Sequence, residues 1–462
     1  MSALLVLGVA GCARGEPSGA AAASVVIDGS KRFQTLEGWE VTLRGWEEDK
    51  ANDRYDPTWF DSSEEAVDRL VEEAGVNRVR LEIGSAAEAD VDYWKRFRDG
   101  EETYSSWSQI RYANHNDNGD PMVADPAGFH WTAFDENVEA LVLPMQAALA
   151  ARDEKLFINL CVVDFGKRRG GVNNPGALDL AAEPKEYAEL VVETFKRLKS
   201  KYGLTPDSLE LMLEPENAQN WTPPRLAAAA KAAKARLAAE GFAPQIIGPS
   251  TVKAKNALRY FEAAERAGVD IDVLSYHSYD RPDDALRRTI AARAAKASTG
   301  TAMLEHLRAD VIEFYADMTA ANVSAWQQWG IAGRADNGNY LFVGRPQSKK
   351  GDRLTLSRRA RLLSEIWRHA RIGDTRVAAS SADPGLRPLA FLKPDGRAVV
   401  SLIVDGPREI TLTGLPAGEY SVERTTEAEF AEDVGDMKVG ADGRAKIGMT
   451  ARGVVTIYPA RH

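Results

Sequence analysis

Eight short strand-like segments alternate with helical stretches between Thr35 and Ile331, and this alternation limits the possible fold more than any single motif. The segments are Thr35–Leu43, Val76–Gly84, Leu156–Asp164, Ser208–Glu214, Gln245–Ser250, Val273–Tyr279, Thr301–Glu305 and Val323–Ile331. Between them, Ser62-Ser63-Glu64-Glu65 reads as a capping box that opens a helix. Thr222-Pro223 begins an Ala/Lys/Arg-rich run that stops at Gly241, with proline at the start and glycine just past the end. Eight strand–helix units in series predict an α/β fold, a (β/α)8 TIM barrel whose chemistry gathers at the C-terminal ends of its strands.

From about Ile372 the pattern changes. Arg387–Leu392, Ala398–Val404, Glu409–Leu412, Gly418–Arg424 and Gly453–Tyr458 are short alternating runs, with Pro394-Asp395-Gly396 as a turn between the first two. They predict a C-terminal all-β, sandwich-like side domain, and Ser24–Asp28 has the strand character to join it. The expected division is residues 1–23 as signal peptide and tether, 33–370 as the catalytic barrel, and 24–32 plus 371–462 as the side domain. At 462 residues the chain is too long for one ordinary domain, although a barrel can take most of it.

The N-terminus carries a short apolar stretch, Ala3–Val9, followed by Val9-Ala10-Gly11-Cys12 and a Gly/Ala/Ser-rich segment. This pattern predicts a bacterial lipoprotein signal with Cys12 as the lipidated residue and a flexible tether behind it. The first residues lack Lys and Arg, so an ordinary secretory signal is the alternative; either one implies export, to a lipid-anchored cell envelope site or the extracellular space. Of the two cysteines only Cys161 would then remain, a buried structural thiol with no partner for a disulfide within the chain. A net charge of −10 gives no reason to expect nucleic acid, and no internal run reaches membrane-spanning length.

Two apolar runs end on carboxylates: Leu209-Glu210-Leu211-Met212-Leu213-Glu214 and Thr301-Ala302-Met303-Leu304-Glu305. Both read as buried strands that deliver a glutamate at the tip. A pair of carboxylates across a cleft is the chemical minimum for cleaving a glycosidic bond. The two lie 305 − 214 = 91 residues apart, so only the fold can bring them together.

Phe33-Gln34-Thr35-Leu36-Glu37-Gly38-Trp39, Asn77-Arg78-Val79-Arg80-Leu81, Leu213-Glu214-Pro215-Glu216-Asn217, Tyr276-His277-Ser278-Tyr279 and Leu304-Glu305-His306 together resemble the clan A glycoside hydrolases, most closely family 30. The resemblance implies a retaining glycosidase without metal or cofactor, acting on an oligosaccharide or polysaccharide, with Glu214 as acid/base and Glu305 as nucleophile. A monomer is expected, with membrane contact only through a lipid anchor. The clan usually places Asn immediately before the acid/base, where this chain has Leu213. Asn217 and Asn220 are the nearest substitutes for its contact to the sugar, and Glu216 is the alternative acid. Arg80 shares strand parity with Arg78 and Glu82; a charge inside a barrel must be paired, either to hold the nucleophile ionised or as a structural ion pair. His277 and Tyr279 fall where the clan places groups that orient the nucleophile or bind sugar. Asp164 is a candidate hydroxyl contact, Trp329 a stacking surface in the cleavage subsite, and Trp39, Trp46 and Trp221 are platform candidates or loop anchors. Lys167-Arg168-Arg169, set among glycines, is either a receptor for an anionic substituent or a solvated charge run. An acidic or unusual sugar polymer as substrate, and a non-catalytic carbohydrate-binding lipoprotein, are the rival readings.

Overall fold

The computed structural model describes residues 21–45, 48–49, 52–84, 87–112, 115–165, 178–218, 220–333, 338–343 and 354–460. Cys12, Trp46 and the Lys167–Arg169 run lie outside the described residues. Strand β1 (Ala21–Thr35) precedes eight parallel strands: β2 (Gly38–Thr42), β3 (Arg78–Ile83), β4 (Phe157–Val162), β5 (Ser208–Glu210), β6 (Gln245–Thr251), β7 (Val273–Tyr276), β8 (Gly300–Met303) and β9 (Ala325–Gly330). These eight close in the order β8-β9-β2-β3-β4-β5-β6-β7, the predicted TIM barrel.

Alternation along each strand separates two environments. Val79 and Leu81 on β3 and Ile158 and Leu160 on β4 join the main apolar core beneath the surrounding helices. The intervening residues fill the barrel interior. Ile247, Val273, Ala302, Leu304 and Ala325 form its apolar part. On the opposite wall, Arg78 Nε donates to Glu40 Oε2 at 2.5 Å, and Asn159 Nδ2 bridges Glu40 (3.1 Å) and Glu210 (2.8 Å). Charges inside the barrel are thus paired, as burial demands. Cys161 sits among them, fully buried, with its thiol pushed up by burial and by Glu210.

Helices α1 (Pro184–Arg197), α2 (Pro223–Ala239), α3 (Ala254–Arg266), α4 (Asp284–Lys296), α5 (Val311–Ala316) and α6 (Arg358–Trp367) follow successive barrel strands from β4 to β9. The proline start of α2 is as predicted. The capping box is not: a helix does begin at Ser63, but Ser62 makes no side-chain cap bond.

The C-terminal strands are β10 (Thr375–Ser380), β11 (Leu386–Leu392), β12 (Ala398–Val404), β13 (Arg408–Thr413), β14 (Gly418–Thr426), β15 (Glu432–Val439), β16 (Ala445–Met449) and β17 (Gly453–Pro459). With β1 they make one nine-stranded sheet, ordered β15-β14-β17-β12-β11-β10-β1-β13-β16. Every residue of β12 is buried because both its faces are covered. Val400, Leu402 and Val404 face the sheet's own core, whereas Val399 and Ile403 join the barrel's core. β1 is longer than expected. It starts at Ala21, pairing Ala21–Ala23 with Arg408–Ile410 where tether was predicted, and runs to Thr35 opposite Thr375.

Candidate active site

The chain continues beyond the β5 ladder through Leu211–Leu213 and then turns sharply: Glu214 has φ +49° and its N–H donates to Ser250 O at 3.1 Å. A non-glycine residue in the left-handed region is strained, and such strain persists only where the surroundings enforce it. The turn puts the Glu214 side chain at the barrel mouth. Glu305 follows β8 by two residues and reaches the same place. Both line a cleft of about 440 Å³ together with Arg44, Glu82, Leu213 and Trp329. One oxygen of each carboxylate and one His277 ring nitrogen all lie within 4.8 Å of one another.

The two glutamates have different surroundings. Arg80, fully buried on β3, donates through Nη2 to Glu305 Oε2 and through Nη1 to Leu304 O at 3.0 Å. Burial alone would lower the Arg80 pKa, but the carboxylates of Glu305 and Glu210 hold it well above its ordinary value. Tyr279 Oη donates to Glu305 Oε1 at 2.8 Å, and burial with the adjacent Glu305 charge pushes the phenol up, so it remains a donor. Each oxygen of Glu305 therefore receives a hydrogen bond, one of them from a fixed cation.

Glu214 is paired with His277: Nδ1 lies 3.1 Å from Oε1, while Asn217 Nδ2 donates to Oε2 at 2.5 Å. Burial acts to raise the carboxyl, but His277 and Asn217 outweigh it and hold Glu214 below the usual carboxylate value. Burial likewise disfavours imidazolium, yet Glu214 and Glu305 raise His277 above 6.5. A general acid is expected to sit on a raised carboxyl; here it is the imidazole paired with Glu214 whose proton affinity is raised. Two carboxylates and an imidazole are also a metal-ligand set. The Arg80 guanidinium against Glu305 opposes a second cation there.

Glu216 does not enter the cleft. Its Oε1 accepts from Lys253 N and Asn256 Nδ2, both at 3.2 Å, at the start of α3. Asp164 Oδ2 accepts from Trp221 Nε1 at 2.7 Å, which accounts for both residues: Trp221 is buried and anchors the loop rather than offering a platform. Trp39 also needs correcting. It lies toward the N-terminal end of β2 and points away from the barrel interior, because Glu40 and Thr42 have the inward parity. Fully buried, it stacks on Trp367 (5.4 Å, 6° between planes) and donates to Ala370 O at 2.7 Å, so it cannot touch a ligand in the cleft. Trp329, in contrast, lines the cleft.

Sequence reasoning passed over Arg44, Glu82 and Tyr112. Arg44 Nη1 donates to Tyr112 Oη at 3.0 Å and lies 3.9 Å from Glu82 Oε2 on the cleft wall. Glu82 was within reach, since it continues the parity of Arg78 and Arg80 toward the C-terminal end of β3. Tyr112 carries no local signal in the long segment between β3 and β4.

No family model and no curated protein matches the sequence. Solved structures do match the fold. The catalytic domain of family 30 xylanase C from Talaromyces cellulolyticus aligns over 95% of this chain and 100% of its own, with a TM-score of 0.65 and 14% identity. A conserved exported protein from Bacteroides fragilis aligns over 94% and 99%, with a TM-score of 0.67 and 14% identity. A family 30 subfamily 8 xylanase from Clostridium acetobutylicum aligns over 94% and 98%, with a TM-score of 0.62 and 17% identity. The chain therefore has the fold of these family 30 glycoside hydrolases, a barrel of the clan A kind with an all-β side domain.

Proposed function

We propose that this protein is a retaining glycoside hydrolase in which Glu305 is the nucleophile and Glu214 the acid/base. The observation that carries the proposal is the meeting of these two carboxylates at the barrel mouth, with an oxygen of each within 4.8 Å of the other. That spacing fits the roughly 5 Å of retaining enzymes and leaves no room for the water that inverting enzymes hold across about 6.5–9.5 Å.

In the first step Glu305 attacks the anomeric carbon as the bond to the leaving oxygen breaks, and that oxygen takes a proton from Glu214. Arg80 and Tyr279 keep Glu305 ionised and fix its orientation. His277 supplies Glu214 with its proton across their 3.1 Å contact. In the second step Glu214 removes a proton from water, which displaces Glu305 and regenerates the carboxylate. Leu213 stands where the clan has Asn, and the nearest substitutes are already engaged, Asn217 Nδ2 with Glu214 Oε2 at 2.5 Å and Asn220 Nδ2 with Asp179 Oδ2 at 2.8 Å. Trp329 provides the apolar face for the ring at the cleavage point.

Screening polysaccharides and oligosaccharides with the wild-type protein beside Glu305→Gln tests the proposal. Hydrolysis of at least one glycan, falling roughly a thousandfold or more in the variant, is expected; equal product from both would remove Glu305 from the chemistry. Export rests on the Ala3–Cys12 pattern, with Cys12 lipidated. Intact mass of the mature protein should show a diacylglyceryl-cysteine N-terminus, absent in Cys12→Ala.

A further inference from the structure

A cleft of about 560 Å³, larger than the catalytic one, lies apart from it. It opens where the barrel meets the nine-stranded sheet and falls in the range of about 300–1,000 Å³ typical of ligand sites. Six arginines line it: Arg308, Arg358, Arg359 and Arg361 from the barrel, and Arg387 and Arg452 from the sheet. The acids beside them are engaged. Asp310 caps α5 by accepting from Ile312 N and Glu313 N, Asp405 pairs with Arg408 at 2.9 Å, and Glu427 pairs with Arg358. Arg308, Arg387 and Arg452 make no ion pair among the described residues. A chain of net charge −10 thus concentrates cations in one concave site, where low-dielectric walls focus the field.

Consecutive residues of one loop line the two clefts. Leu307 lines the catalytic cleft and the next residue, Arg308, lines the arginine cleft. No aromatic side chain is among the described residues lining the cleft, so it offers nothing for nucleobases to stack on.

We propose that this cleft is a second carbohydrate-binding site, which holds a carboxylate- or sulfate-bearing stretch of the same polysaccharide whose backbone is cleaved between Glu214 and Glu305. The guanidinium fork matches the paired oxygens of both anions. This proposal rests on the glycosidase reading for the identity of the polymer, while the binding itself is measured without turnover.

The test is a titration of the full chain carrying Glu305→Gln, which prevents cleavage, with polygalacturonate, a sulfated galactan, a neutral β-glucan and single-stranded DNA. The comparison protein adds Arg308→Gln, Arg387→Gln and Arg452→Gln, none of which leaves an acid orphaned. A second comparison carries only Arg387→Gln and Arg452→Gln, which belong to the sheet and leave the loop after Glu305 unchanged. At least one charged glycan should bind, and the triple variant should bind it about tenfold more weakly with a shallower salt dependence, as expected for loss of three exposed ion contacts. The double variant should show part of the same loss, and the neutral glucan should not distinguish the proteins. Unchanged affinity in a folded triple variant, no binding of either anionic glycan, or DNA bound as tightly as the glycans would each overturn the proposal. If the wild type cleaves neutral glycans but binds no charged one, this inference fails and the glycosidase reading stands. Charged-glycan binding by a protein that hydrolyses nothing would fail the glycosidase reading alone.

Discussion

Among the described residues, two Glu–His–Glu clusters invite comparison. Glu214, His277 and Glu305 meet at the barrel mouth; Glu365, His369 and Glu423 meet where α6 packs on β14, and in each set the ligand atoms fall within 4.8 Å. Their imidazoles shift in opposite directions, although in each the carboxylate that meets the ring, Glu214 or Glu423, is lowered. At the mouth the imidazole is raised and Glu214 lowered. At the junction burial lowers His369 and pushes Glu365 up to about 8. Glu365 accepts from Thr425 Oγ1 at 2.7 Å and from Arg368 at 3.2 Å, and His369 lies flat on Tyr458 at 3.8 Å. Glu214 and Glu305 of the first cluster line the catalytic cleft. A compact Glu–His–Glu set is therefore not in itself a catalytic sign; access and the sharing of protons between its members separate a reacting pair from a structural joint.

If that distinction is right, substitutions in the two clusters have separable consequences. The largest expected effect after loss of the nucleophile is at Glu214. Glu214→Ala should lose about 10²–10⁴-fold in turnover on substrates with poor leaving groups, much less on activated aryl glycosides, and azide should restore deglycosylation. Glu216→Ala should stay near wild type in the same assays. A pattern reversed between the two would move the acid two residues along.

The next effect is a shift in pH dependence. With His277 raised above its ordinary 6.5, the pair holds its proton to higher pH than a free imidazole would, and the alkaline limb of kcat/KM should lie above that value. In His277→Gln the Glu214 carboxyl alone holds the proton, so the limb should move to lower pH. A limb unmoved by this substitution would show that His277 does not supply Glu214.

The smallest effect belongs to the junction cluster and concerns stability alone. Glu365 is raised from 4.5 to about 8, so between these values the folded chain keeps a proton that the unfolded chain has released. Its contribution to stability is present below pH 4.5 and is lost as pH rises toward 8. Glu365→Gln, which cannot ionise, should flatten the fall in Tm between those pH values and leave kcat unchanged. A parallel Tm–pH curve would place the proton elsewhere.

The eight barrel strands were legible because short apolar runs between helices have few other solutions, and Glu214 and Glu305 because each ends such a run. The detail lost at β5 is instructive. Its ladder stops at Glu210, and Glu214 reaches the mouth through a left-handed turn that no propensity marks. Trp39 was misplaced because a sequence shows an aromatic but not which end of a strand it occupies. The His277–Glu214 contact spans 63 residues, so the pairing on which the proposed acid/base step depends exists only in the fold. The placement of β1 between β10 and β13 is likewise non-local; Ser24–Asp28 announced a strand but not its partners.

The central claim, a double displacement through Glu305 and Glu214, is tested most directly by following the anomeric configuration of the first-formed product. Proton NMR of a glycan hydrolysed by the wild-type enzyme, recorded before mutarotation, should show the newly released reducing end with the configuration of the bond that was cleaved. Release of the opposite anomer would require a water molecule between the two carboxylates and would contradict the account.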